Sequence, residues 1–160
     1  MIKQLTRLTL LAGLALAQAA ADPVESDYYK IDAFPVPDGI VMETSGIEMM
    51  PDGKLAICSR RGDIYMLSNP YGDPAKIEWS LYAEGLHEPL NLSFNDGWLY
   101  CTQRGELTQI KDVDGDGRAD LFQTANDSWG ITGDYHEYAF GTRPDRKSTR
   151  LNSSHALIPY

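Results

Sequence analysis

Only two cysteines and three histidines occur in 160 residues, and that scarcity removes several chemistries at once. Cys58 and Cys101 stand apart from each other and from any histidine. Neither a Cys-x-x-Cys zinc pair nor a Cys-x-x-Cys-His haem attachment site is therefore present in the sequence. Glycine-rich phosphate loops are missing too, which disfavours an intracellular enzyme built around a nucleotide cofactor.

Basic residues are few: 14 Lys and Arg face 23 Asp and Glu, a formal net charge of −9. Five of the bases (Lys3, Arg7, Arg146, Lys147, Arg150) and one acid (Asp145) lie outside residues 22–144. That leaves nine bases against 22 acids in this stretch, a net charge of −13. Such a surface repels polyanions and attracts cations, so no nucleic-acid partner is expected. Long apolar runs are also missing. The longest, Leu8–Leu16, is broken by Thr9 and Gly13 and falls short of the roughly 20 residues that cross a bilayer.

What surrounds that run has its own meaning. Lys3 and Arg7 give a positive start, and Ala17, Ala19, Ala20 and Ala21 give small residues after the apolar stretch. A signal peptide over residues 1–21 is the reading, with export to the periplasm or the exterior; a short membrane anchor is the weaker one. At the other end, Asp145 to His155 reads DRKSTRLNSSH, without apolar alternation and suddenly basic. This string resembles the translation of a widely used short-read sequencing adapter. The expectation is a non-native, disordered tail over 145–160, with the natural frame running on past Pro144 and residues 22–144 forming the N-terminal part of a larger domain.

An internal repeat organises the middle of the chain. Cys58-Ser-Arg-Arg-Gly62-Asp-Ile64 aligns with Cys101-Thr-Gln-Arg-Gly105-Glu-Leu107 at an offset of 43. Each copy follows an Asp-Gly turn, Asp52-Gly53 or Asp96-Gly97, and a short β-prone run, Leu55–Cys58 or Trp98–Cys101. The Arg-Gly-acid turn then leads into a third strand, Ile64–Leu67 or Leu107–Ile110, giving units of strand, turn, strand, turn, strand. A period of this length in antiparallel strands predicts an all-β fold, a partial β-propeller of about two to three blades. Two hairpins of a β-sandwich are the alternative. A closed propeller needs about four to eight blades, more than residues 22–144 can hold.

The strongest chemical motif is Asp112-Val-Asp114-Gly-Asp116-Gly117-Arg118-Ala-Asp120. Carboxylates at positions 1, 3, 5 and 9, a glycine at 6 and the Arg118 carbonyl at 7 can converge oxygens on a hard cation, and Ca2+ is the expected ion. An EF-hand is disfavoured, because position 12 is Gln123 where a bidentate Glu is needed and no flanking helices are predicted. The bland alternative is a solvated acidic hairpin.

The run Tyr82–Gly105, the acidic loop, and Gly133-Asp-Tyr-His136-Glu-Tyr-Ala-Phe-Gly141 together resemble the N-terminal propeller of glucose/sorbosone dehydrogenase-like proteins abundant in planctomycetes and verrucomicrobia. Asn91 departs from that pattern, where glycine is commoner. The resemblance implies an extracytoplasmic, quinone-linked oxidoreductase of a sugar or another alcohol, using PQQ in the full-length protein, with a downstream c-type cytochrome domain as partner. It also points to His136 as a general base beside Asp134 and Glu137. A repeated structural role for His87 and His136 is the competing reading, and a non-catalytic propeller binding carbohydrate or protein is the competing function. Cys58 and Cys101 are expected as two buried free thiols, a disulfide being permitted by export but disfavoured by the spacing of neighbouring blades.

Overall fold

A computed structural model describes residues 22–131 and 138–142, together with the backbone of Pro144–Asp145 and Ser148–Leu151. The chain divides into two units, Met1–Ile31 and Asp32–Tyr160. In the first, Glu25–Asp27 forms one 3-10 turn, with the Val24 amide donating to the Asp27 carboxylate at 2.9 Å.

The second unit is built from β-strands. Strands β1 (Thr44–Met49), β2 (Leu55–Ser59), β3 (Ile64–Leu67) and β4 (Trp79–Ala83) make one antiparallel sheet in chain order. Strands β5 (Asn91–Asn95), β6 (Trp98–Thr102), β7 (Leu107–Lys111) and β8 (Leu121–Asn126) make a second with the same order. A short ladder pairs β9 (Pro144–Asp145) with β10 (Ser148–Leu151), across the start of the stretch 145–160 read from sequence as a tail. The fold is thus all-β and propeller-like in part, with no closed ring among the described residues.

The turns explain why the strands fall where they do. Asp96 and Gly97 both take positive φ, 47° and 79°, and connect the paired residues Asn95 and Trp98 as a two-residue hairpin loop requires. In the first sheet Gly53 takes φ 84°, and its amide donates to the Met50 carbonyl at 2.9 Å. The three-strand unit expected from the repeat is one strand short. Each sheet gains a fourth, β4 after a 3-10 turn at Pro74–Lys76 and β8 after the acidic loop. Neither announces itself by alternation: β8 is exposed at five of its six positions.

The two sheets share one core. Ala56, Cys58, Ile64, Met66, Tyr82 and Ala83 from the first pack with Leu92, Leu99, Cys101 and Ile110 from the second. β1 lies against β5, and Gly46 sets how closely. A Cβ there would stand 2.8 Å from Asn91 Cα and 2.9 Å from Cys58 Sγ, so only glycine fits. Polar bonds cross the same seam: Ser45 Oγ donates to the Pro89 carbonyl at 2.5 Å, and the Phe94 amide donates to Glu48 Oε1 at 3.2 Å.

Sequence equivalence and register part company at the cysteines. Cys58 pairs with Ile64, whereas Cys101 pairs with Thr108 and leaves Leu107 opposite Thr102. Both cysteines end in the same core as buried free thiols.

Candidate functional site

The loop from β7 to β8 carries the acidic motif. Gly115 and Gly117 adopt φ 81° and 93°, which lets the chain coil tightly and turns main-chain amides toward the carboxylates. Asp112 accepts from the Gly115 and Gly117 amides at 2.7 and 2.9 Å. Asp114 accepts from the Asp116 amide at 3.1 Å, and Asp116 from Arg118 at 2.7 Å. The loop is therefore folded by its own side chains.

Asp112, Asp114 and Asp116 each offer a carboxylate oxygen within 4.8 Å of the other two. Ca2+ holds oxygens at 2.3–2.6 Å, so two oxygens on one ion lie at most about 5 Å apart. The donor set and its spacing fit that ion. Asp120 is used differently: its Oδ2 accepts from the Val113 and Asp114 amides at 2.9 and 3.3 Å, closing the loop on itself. The Arg118 guanidinium turns outward to Glu84 at 3.1 Å. Gln123 sits inside β8 and accepts from the Gln109 side chain at 2.7 Å, so the EF-hand's twelfth position is a strand residue here.

The loop also reaches the first sheet. Ala119 donates its amide to the Tyr82 carbonyl at 2.8 Å, tying it to β4. Burial holds the Tyr82 phenol above its ordinary pKa; a main-chain hydrogen bond from Asp112 opposes this, and the negative fields of Asp112 and Asp120 add to it.

A second cluster of charges lies where the chain crosses between the sheets. Arg60 donates to Glu43 at 2.7 Å and to Glu88 at 3.3 Å, and Arg104 donates to Glu88 at 2.8 Å. Arg61 adds a contact to Glu43 at 3.3 Å, and the Arg104 guanidinium lies 4.9 Å from the centre of the Tyr138 ring. The Arg104 hydrogen bond holds Glu88 below the usual carboxylate range, with the field of Arg60 adding to it. Glu43 is lowered chiefly by Arg61 and then Arg60. The aligned block contains the arginines of this ladder, but their acidic partners Glu43 and Glu88 lie outside it, so the repeat carries no signal for their pairing.

His136 lies outside the described residues. His87 works through its main chain: its amide donates to Gln103 Oε1 at 2.5 Å and its carbonyl accepts from Arg104 at 3.1 Å. Burial raises both thiols, Cys101 far above its ordinary value with Cys58 nearby as a second cause, and Cys58 by less. Thiolate chemistry at neutral pH is thereby suppressed.

A cleft of about 330 Å3 opens beside β1 and β5, lined by Ile47, Glu48, Asn91–Phe94 and Thr142. Among the described residues that line it, the charged one is Glu48. Among the described residues no helix is long and apolar enough to cross a membrane. No protein-family model, curated protein or solved structure matches the chain.

Proposed function

We propose that the chain supplies two consecutive blades of an exported, dehydrogenase-like β-propeller and that its own binding element is a calcium loop, Asp112–Asp120. Two four-stranded antiparallel sheets in chain order, packed through a common core, support the propeller reading. The observation that carries the loop's function is the convergence of Asp112, Asp114 and Asp116 on a scaffold already ordered by main-chain amides. Bound calcium would neutralise the carboxylates and, through Ala119 and Tyr82, brace the second sheet against the first.

In the parent protein the reading extends to a quinone-linked oxidoreductase of sugars or alcohols, with His136 as proton acceptor and a c-type cytochrome domain receiving electrons. A non-catalytic propeller binding carbohydrate or a protein partner is the alternative, since one fold hosts many unrelated functions.

Calorimetric titration of the purified chain with CaCl2 tests the loop. Saturable binding in the 0.1–1 mM range typical of extracellular sites is expected, abolished by Asp112→Asn with Asp114→Asn. With a Kd of about 1 mM, 10 mM calcium stabilises by about 1.4 kcal/mol. The absence of both heat and a thermal shift at that concentration would sink the reading. For the parent, dye reduction with PQQ and a panel of aldoses and polyols separates the catalytic from the binding alternative.

A further inference from the structure

The link between the sheets, residues 84–90, runs from β4 to β5 and is fastened on both sides. Leu86 donates its amide to the Gly62 carbonyl at 3.0 Å in the first sheet's turn. His87 holds Gln103 and Arg104 in the second sheet's turn, at 2.5 and 3.1 Å. Directly after these anchors stands Glu88, a non-glycine residue at φ 46°, a left-handed conformation that costs a branched or long side chain free energy and persists only where its surroundings enforce it. The enforcing groups are identifiable. Arg60 from the first repeat and Arg104 from the second grip the two oxygens of one carboxylate.

We propose that Glu88 is an acid-released latch: charged, it pins the 84–90 crossing to both turns, and protonated, it lets that crossing open while the shared core stays closed. The groups facing it are the Arg60 and Arg104 guanidiniums and the adjacent His87, with Glu43 and Arg61 one contact further on. Among the described residues the two groups that bond this carboxylate are both guanidiniums, so neutralising it removes the attraction that draws the two turns onto the link. Loss of charge and release of backbone strain then act in the same direction. The thiols and the phenol in the buried cluster are raised and stay protonated in acid, which confines the acid response to the link.

The carboxylate is stabilised in its charged form, so the latch is fully set above the ordinary glutamate range and is lost as pH falls through a lower value. Hydrogen-exchange protection factors read this directly, since they correct for the intrinsic pH dependence of exchange. From pH 6 to pH 3, protection at Leu86, His87 and Arg104 should fall about tenfold or more beyond any loss at amides within β2 and β6. Glu88→Asn keeps a residue that tolerates positive φ and removes the charge. It should show the same local loss already at pH 6 and no further change on acidification. Link protection that ignores pH, or that falls together with the strand amides, overturns the latch. The wild-type series decides the question alone should the variant fail to fold.

Discussion

A methyl group at position 46 would press on Asn91 Cα at 2.8 Å and on Cys58 Sγ at 2.9 Å, well inside the distance at which packed atoms rest. Neither contact yields cheaply, since one atom is backbone and the other lies in the core. Gly46→Ala should therefore cost about 1–3 kcal/mol through forced separation of β1 from β5. Gly130→Ala is its control, because a Cβ there meets nothing within 4 Å; an effect within about 0.5 kcal/mol is expected. Urea melts of both variants check the contrast, and equal midpoints would show that the seam has slack. Leu99, 1% exposed, makes the converse case. Leu99→Ala should cost about 2–5 kcal/mol by leaving a cavity between the sheets.

At the scale of elements, the acidic loop separates two roles that one substitution can tell apart. Asp112 accepts two main-chain amides before any ion is considered, so Asp112→Ala should lower stability by about 1 kcal/mol with calcium chelated. It should also abolish the calcium-dependent thermal shift. Asp114 accepts only one amide, so Asp114→Ala should keep more of the apo stability and lose the same calcium response. Thermal melts with EGTA and with 10 mM CaCl2 measure both terms.

This loop was legible in the sequence because four aspartates and two glycines carry the signal locally. The strands beside the Asp-Gly and Arg-Gly turns were legible for the same reason, with Ile64–Leu67 matching its expected bounds. β8 was not, since an edge strand whose side chains face water needs no apolar alternation. The Arg60–Glu88–Arg104 ladder was invisible for a different reason: its members come from two turns and a link, and their meeting depends on how the sheets pack. The one-residue difference in register opposite the two cysteines likewise depends on turn length, not on the aligned residues.

For the whole molecule, two electrostatic effects of opposite sign set the pH dependence. Far from the pI of about 4.7 the chain carries excess negative charge, formally −9 at pH 7, and self-repulsion destabilises the compact state. Acidification from pH 8 toward 5 should therefore raise the melting temperature. Below about pH 4.5 the sign reverses. Glu43 and Glu88 have folded values under their ordinary ones, so the unfolded chain takes up protons first and stability drops as pH falls further. A maximum near pH 5 follows. Salt should act unequally on the two flanks, because repulsion among dispersed surface charges is screened when the Debye length shrinks from about 30 Å at 10 mM to about 8 Å at 150 mM. The Arg104–Glu88 pair, at 2.8 Å with side chains 16% and 24% exposed, is screened far less. Melting temperatures at the two ionic strengths should then converge near pH 5, close to the pI, and separate as pH rises toward 8, the higher salt being the more stable there. A profile that is flat above pH 5 at 10 mM salt would show that the surface charge is too dispersed to matter and that the ladder alone sets the acid limb.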